Sequence, residues 1–187
     1  MNDFLQIIKS RRSTRDFKPE QIKEEELQAI LEAGAYAPSA VNGQPWHFTV
    51  IQNHHLIDWL SDAFKEVAKT HDNTYIKRFG SNESFHLYYH SPTVILVSGD
   101  SKNPSASVDC AAATQNMLLM AESLGIGSCW IGFTAYLLND GEKGAEYTKE
   151  LGIPDGYRQI HSIALGYKKN ASADAPMRKE GAVNYIR

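Results

Sequence analysis

Three guanidinium groups and a hydroxyl fall within five residues at Arg11, Arg12, Ser13 and Arg15. If that run is extended, alternate members converge on one anion. The planar arginine fork binds phosphate oxygens bidentately, while Ser13 and backbone amides fill the remaining acceptors. A solvated basic turn, or a patch that touches nucleic acid, fits the same residues. A second basic pair, Arg178 and Lys179, follows Pro176 near the far end of the chain. By itself it is a solvated tail; beside a phosphate ester carrying about two negative charges it would help to balance them.

The segment GAYAPSAVNGQPW from Gly34 to Trp46 gathers Pro38, Ser39, Ala40, Asn42 and Gln44 ahead of a large aromatic. It offers both donors and acceptors, as a flat heteroaromatic ring with carbonyl and imide edges requires, and Ala40 and Gly43 permit close backbone approach. Asn-Gly and Pro are also ordinary turn chemistry, so a plain surface loop fits equally. In LGIGSCWIG, Leu124 to Gly132, only Gly125 and Gly127 match G-x-G-x-x-G, and they follow a helix where that fingerprint needs a strand. Gly125 reads as a helix stop, and the backbone of a glycine-lined strand can also lie against the edge of a ring. Of the seven histidines, His54 and His55 face apart on a helix, whereas His86 and His90 stand four apart, as metal ligands can. With no third ligand evident nearby, they are read as surface or core histidines and no metal centre is assigned. No G-x-S-x-G elbow, Walker motif or H-E-x-x-H occurs.

A formal net charge of −3 gives no global attraction to nucleic acid or anionic lipid, so any anion site must be local. Cys110 and Cys129 lack C-x-x-C spacing and read as buried reduced thiols of a reducing compartment. There is no run of about eighteen apolar residues, and the opening MNDFLQIIKSRRSTRDF is charged within its first twelve residues; both point to the cytoplasm and away from a membrane. A chain of 187 residues with 42% hydrophobic content is expected to form one domain, 1–187, that buries roughly 70% of its unfolded surface.

The elements that must position these groups follow from periodicity. Phe4, Leu5, Ile7 and Ile8 predict a short amphipathic helix behind an Asn2 or Asp3 cap, ending near Arg11. Leu27, Ile30, Leu31 and Ala35 predict a second over 23–35, with Glu24, Glu25 and Glu26 in the first turn, where the helix dipole favours them. Trp46 to Ile51 alternates as a strand. Leu56, Trp59, Leu60, Phe64 and Val67 stripe a helix begun by Asn53; from Thr70 to Asn82 the pattern fades, which predicts a mobile polar stretch. Thr93 to Ser98 suits a buried central strand. A helix apolar nearly all round is expected from about Ser107 to Leu124, ended by Gly125. Strands at 129–131 and 159–165 flank a charged helix near 142–151, and 168–187 reads as an arm that docks elsewhere. Strands and helices in no strict β-α-β rhythm favour α+β, with a three-layer α/β arrangement as the competing architecture.

Taken in order, RRSTRDF, APSAVNGQPWHFTV, LGIGSCWIG and the basic residues after Pro176 resemble the FMN-dependent nitroreductase family, especially its short bacterial and archaeal members. The resemblance spans nearly the whole chain. It implies an α+β fold, a mixed β-sheet flanked by helices, in an interlocked homodimer with each FMN at the interface. It further implies that Arg11, Arg12, Ser13 and Arg15 are phosphate and ribityl contacts, with Arg15 near the flavin pyrimidine edge. Pro38, Ser39, Ala40, Asn42 and Gln44 would reach the flavin, the first three from the partner chain. Ile131 and Gly132 would lie beside the edge that carries N5. Arg178 and Lys179 would form a C-terminal phosphate clamp, although the family's basic residues are two apart and these are adjacent. The implied activity is an NAD(P)H oxidoreductase with ping-pong hydride transfer to nitroaromatic or quinone-type acceptors, the chemistry being carried by FMN with no catalytic side chain. Residues between Thr70 and Ser91 would shape the acceptor pocket. A specialised flavin enzyme on the same scaffold, dehalogenase-like or flavin-consuming, and a non-catalytic nucleic-acid-binding module remain the alternatives.

Overall fold

The strand β2, Thr93–Asp100, is buried from residue 93 to residue 99 because it is sandwiched twice, between two strands and between two helical layers. The computed structural model describes residues 3–187, so Asn2, one of the two caps considered for the first helix, lies outside the described residues. In chain order the elements are α1 (Asp3–Ser10), α2 (Glu24–Ala35), β1 (Trp46–Ile51), α3 (His54–Thr70), α4 (Thr74–Gly80), β2, α5 (Ala106–Ser123), β3 (Ile126–Ile131), α6 (Thr134–Leu138), α7 (Gly141–Glu150) and β4 (Tyr157–Tyr167). The sheet order is β1-β2-β4-β3, and these strands pair antiparallel throughout. Among the described residues, its parallel component is one bridge between Ser13 and Ser128.

Alternation along β2 divides the core in two. Val94 and Leu96 face a layer that includes Ile57, Leu60 and Phe64 of α3. Ile95 and Val97 face Met117 and Ala121 of α5 and Leu27 and Ile30 of α2. The arrangement is thus α+β, with helices on both faces of an antiparallel sheet. The expected core helix is α5, and Gly125 (φ 75°) ends it in the left-handed conformation that favours glycine. Asn53 caps α3, its side chain accepting the Leu56 N–H at 3.3 Å. The buried stripe of α3 runs through Ile57, Leu60, Phe64 and Ala68, while Trp59 turns outward onto Tyr147 of α7 at 4.9 Å between ring centroids.

The stretch expected to be mobile instead contains α4. Asn73 caps it by accepting the Tyr75 N–H at 2.9 Å, and Ile76 and Gly80 are buried. A seven-residue helix that buries two side-chain positions leaves no repeating stripe for periodicity to detect. Gly80 allows it to touch α3: a Cβ there would lie 2.8 Å from the Ala68 carbonyl carbon. No helix among the described residues is long and apolar enough to cross a membrane. The arm starts tied to the opening segment, with Lys168 bridged to Phe17 and Lys169 paired with Asp16 at 3.5 Å; beyond Asn170 it runs extended and exposed.

Candidate functional site

The basic segment is stretched along the sheet's β3 edge. Thr14 donates its N–H to the Ser128 carbonyl at 2.9 Å, and Lys18 donates to the Tyr167 carbonyl at 2.9 Å. Gly127 makes this approach possible, since a Cβ there would meet the Thr14 side chain at 2.8 Å. In the extended run, Arg11, Ser13 and Arg15 all act on Cys129 of β3. Burial pushes that thiol up, opposed by the Arg15 charge, a Ser13 hydrogen bond and the Arg11 charge. Arg12 departs from the group. Its guanidinium donates to the Ser10 carbonyl at 3.3 Å and to the Lys9 carbonyl, closing the C-terminus of α1. Among the described residues, no hydrogen bond or ion pair engages the Arg11 guanidinium.

Arg15 stands between two cavities. One, about 340 Å³, lies between Arg12–Asp16 and Asn170–Ala173 at the start of the arm. The other, about 400 Å³, is walled by Tyr75, Phe79, Phe85, Tyr89 and Phe133 and floored by Cys129, Ile131 and Gly132. Its rings pack at tilted angles, with the Phe79 centroid 4.8 Å from that of Phe85 and 5.0 Å from that of Phe133. Nothing within 4 Å would meet a Cβ at Gly132, so the floor is open there. A buried relay supports that floor: Tyr88 Oη bonds Thr134 Oγ1 at 3.0 Å, Thr134 bonds Ser162 Oγ at 2.7 Å, and Ser162 donates to the Ile131 carbonyl at 3.2 Å. Burial keeps the Tyr88 phenol protonated well above its ordinary range.

Residues 75–89 thus supply the aromatic wall together with Phe133. The sequence located that region without naming the rings; their density between Tyr75 and Tyr89 was the available signal. Tyr89 carries a further role, because Arg15 Nε donates to its hydroxyl at 3.3 Å and the guanidinium lies 5.7 Å from its ring centroid.

The 38–44 loop forms elsewhere. Val41 (φ 48°), Asn42 (φ 56°) and Gln44 (φ 42°) are left-handed, and internal bonds keep them so: Gln44 N–H donates to Ser39 Oγ at 3.1 Å and Gly43 N–H to the Ala40 carbonyl at 2.9 Å. The loop is fastened to α5 by Asp109, only 5% exposed, whose carboxylate accepts the Ala40 N–H at 3.2 Å. Asp109→Ala is expected to lower stability by about 1–3 kcal/mol in urea denaturation, since it removes the buried charged acceptor that fastens the loop. Neither cavity beside Arg15 is lined by this loop. Arg178 and Lys179 sit on the exposed tail, and among the described residues no hydrogen bond or ion pair joins them to Arg11, Ser13 or Arg15. One chain therefore unites Arg15 with Ile131 and Gly132 and holds the other two groups apart from them.

Asp58, His86 and His90 bring three ligand atoms within 4.8 Å of one another. Yet His86 Nδ1 accepts the Tyr88 and His90 N–H groups, each at 3.1 Å, so the ring proton rests on Nε2 and points to Asp58 Oδ1 at 3.0 Å. That tautomer has no lone pair left for a metal ion.

Residues 8–167 match the protein-family model described as the nitroreductase family. A protein of Archaeoglobus fulgidus, provisionally named as an NADH dehydrogenase/NAD(P)H nitroreductase, is 33% identical over 175 residues, which cover 91% of this chain and 88% of that one. Among solved structures, a nitroreductase with bound FMN from Bacteroides fragilis superposes with a TM-score of 0.93 at 38% identity, covering 100% of both chains. A second FMN-bound nitroreductase, from Desulfitobacterium hafniense, gives 0.90 at 31% identity over the same full coverage.

Proposed function

This chain belongs to the nitroreductase family, and from that premise we propose that it is an FMN-dependent NAD(P)H oxidoreductase acting on nitroaromatic or quinone-type acceptors by a ping-pong hydride mechanism. The observation that carries this reading is Arg15 lining an aromatic-walled cavity with an open glycine floor, with Arg11 and Ser13 on the same extended run. Those residues fit FMN. Cationic forks and a hydroxyl suit its phosphate and ribityl chain, and a Gly132 that no steric contact requires suits a flat ring against the backbone. FMN bound there would supply the redox chemistry between NAD(P)H and the acceptor.

In this reading Arg11 and Ser13 hold the phosphate end, and Arg15 holds positive charge at the edge where reduction adds negative charge. Arg12, occupied with the end of α1, is the weaker contact. Ile131 and Gly132 flank the ring, and the wall formed by Tyr75, Phe79 and Phe133 excludes water and stacks planar acceptors. Pro38, Ser39 and Ala40 reach the site from a second copy, Asn42 and Gln44 belong to the same flavin-reaching loop, and Arg178, more than Lys179, adds charge at the phosphate. Exposed Leu5 and Ile8 on α1 and Tyr36 after α2 support such a homodimer, since apolar side chains on neighbouring helices suit burial against another chain. The whole of 1–187 then acts as one FMN-binding unit.

The visible spectrum of freshly purified protein tests this. Flavin absorption, present at purification or gained on adding FMN, together with acceptor-dependent oxidation of NADH or NADPH, is expected. A colourless protein that neither takes up FMN nor oxidises either nucleotide would overturn the reading.

A further inference from the structure

Two consecutive non-glycine residues, Tyr89 (φ 55°) and His90 (φ 53°), stand in the left-handed region. Such a pair persists only where its surroundings over-determine it. Here the restraint is His86, whose Nδ1 accepts the N–H groups on either side of Tyr89, while Tyr89 N–H donates to the His86 carbonyl at 3.1 Å and Ser91 N–H to the Tyr88 carbonyl at 3.0 Å. The turn in turn fixes the Tyr89 hydroxyl that accepts from Arg15 Nε. We propose that His86 is the positioning residue of Arg15: through Nδ1 it holds the Tyr88–His90 backbone in the one conformation that sets the Tyr89 hydroxyl against the Arg15 guanidinium. The consequence for flavin binding rests on the assignment of Arg15 to the flavin.

A proton on Nδ1 would turn a donor toward two donors and release the turn. Burial opposes the charged ring and holds His86 below the ordinary histidine value of 6.5; Asp58 on α3 counteracts, whereas His90 and Lys65 reinforce. The sign follows: the restraint is complete above 6.5 and is lost as pH falls through the lower folded value.

The experiment compares the full-length protein with five variants, apo and loaded with FMN. His86→Leu removes the acceptor and is expected to raise the FMN dissociation constant about tenfold, but by no more than about twofold when Arg15→Ala is already present, because the two act through one contact. His86→Asn, whose Oδ1 occupies the position of Nδ1, should stay within about twofold of the parent and lose the decline that sets in below pH 6.5. In the apo protein, the Arg15 Nε–H resonance should move in His86→Leu and Tyr89→Phe and stay in His86→Asn. Additive losses, an unshifted resonance in His86→Leu, or failure of His86→Asn to rescue would each overturn the proposal. If Arg15→Ala alone leaves FMN retention unchanged, the flavin assignment of Arg15 fails, while the apo resonances still decide whether His86 positions it.

Discussion

Replacing Arg11 and Arg15 together by alanine is expected to raise the dissociation constant for FMN about a hundredfold or more. A hydrogen bond to a charged group contributes about 1.5–3 kcal/mol, so two such losses amount to about 3–6 kcal/mol, and each 1.4 kcal/mol is tenfold. Arg15 is exposed in the single chain, so screening favours the lower end of that range. Both residues lie outside the helices, and the far-ultraviolet circular dichroism should not change. Arg12→Ala is the control: its side chain closes α1, so it should cost helix stability and leave flavin affinity within about tenfold. Fluorescence titration with FMN checks both, and an unchanged affinity in the double variant would mean that the phosphate lies elsewhere.

Phe64→Ala should produce the largest loss of stability. The ring is fully buried on α3, 5.6 Å from Phe133 with near-parallel planes and 6.0 Å from Phe85. Removing it forfeits the transfer of a large apolar group and leaves a cavity, together worth about 3–5 kcal/mol. At about 2–4 °C per kcal/mol for a chain of this size, the melting temperature should fall by about 6–20 °C. Because Phe133 and Phe85 wall the cavity beside Arg15, the acceptor KM should rise as well, and Phe64→Leu should lose less on both counts. A loss under about 1 kcal/mol in the alanine variant would mean that the site collapses to refill the space.

Much of the architecture was legible because it is written locally. The acidic first turn and apolar stripe of α2, the Asn53 cap, the Gly125 stop and the β-branched run of β2 each act within a few residues of themselves, so periodicity and capping chemistry find them. The convergence of Arg11, Ser13 and Arg15 was likewise readable, since alternate residues of an extended run share one side. Helix α4 was not, because it buries two positions and depends on Gly80 touching α3.

The sequence by itself determined the element types, the location of the basic and small-residue segments, and the likeness that four ordered motifs carry. Only the tertiary structure decided which of those groups meet. Tyr89 reaches Arg15 across 74 positions, and Asp109 reaches Ala40 across 69. The 38–44 loop and the Arg178–Lys179 pair stand apart from the arginines with which the motifs associate them. The physical reason is one of range. Backbone preference and hydrophobic period act over one or two turns, whereas a side-chain contact between distant segments exists only after packing has fixed both backbones, and no local pattern encodes that distance.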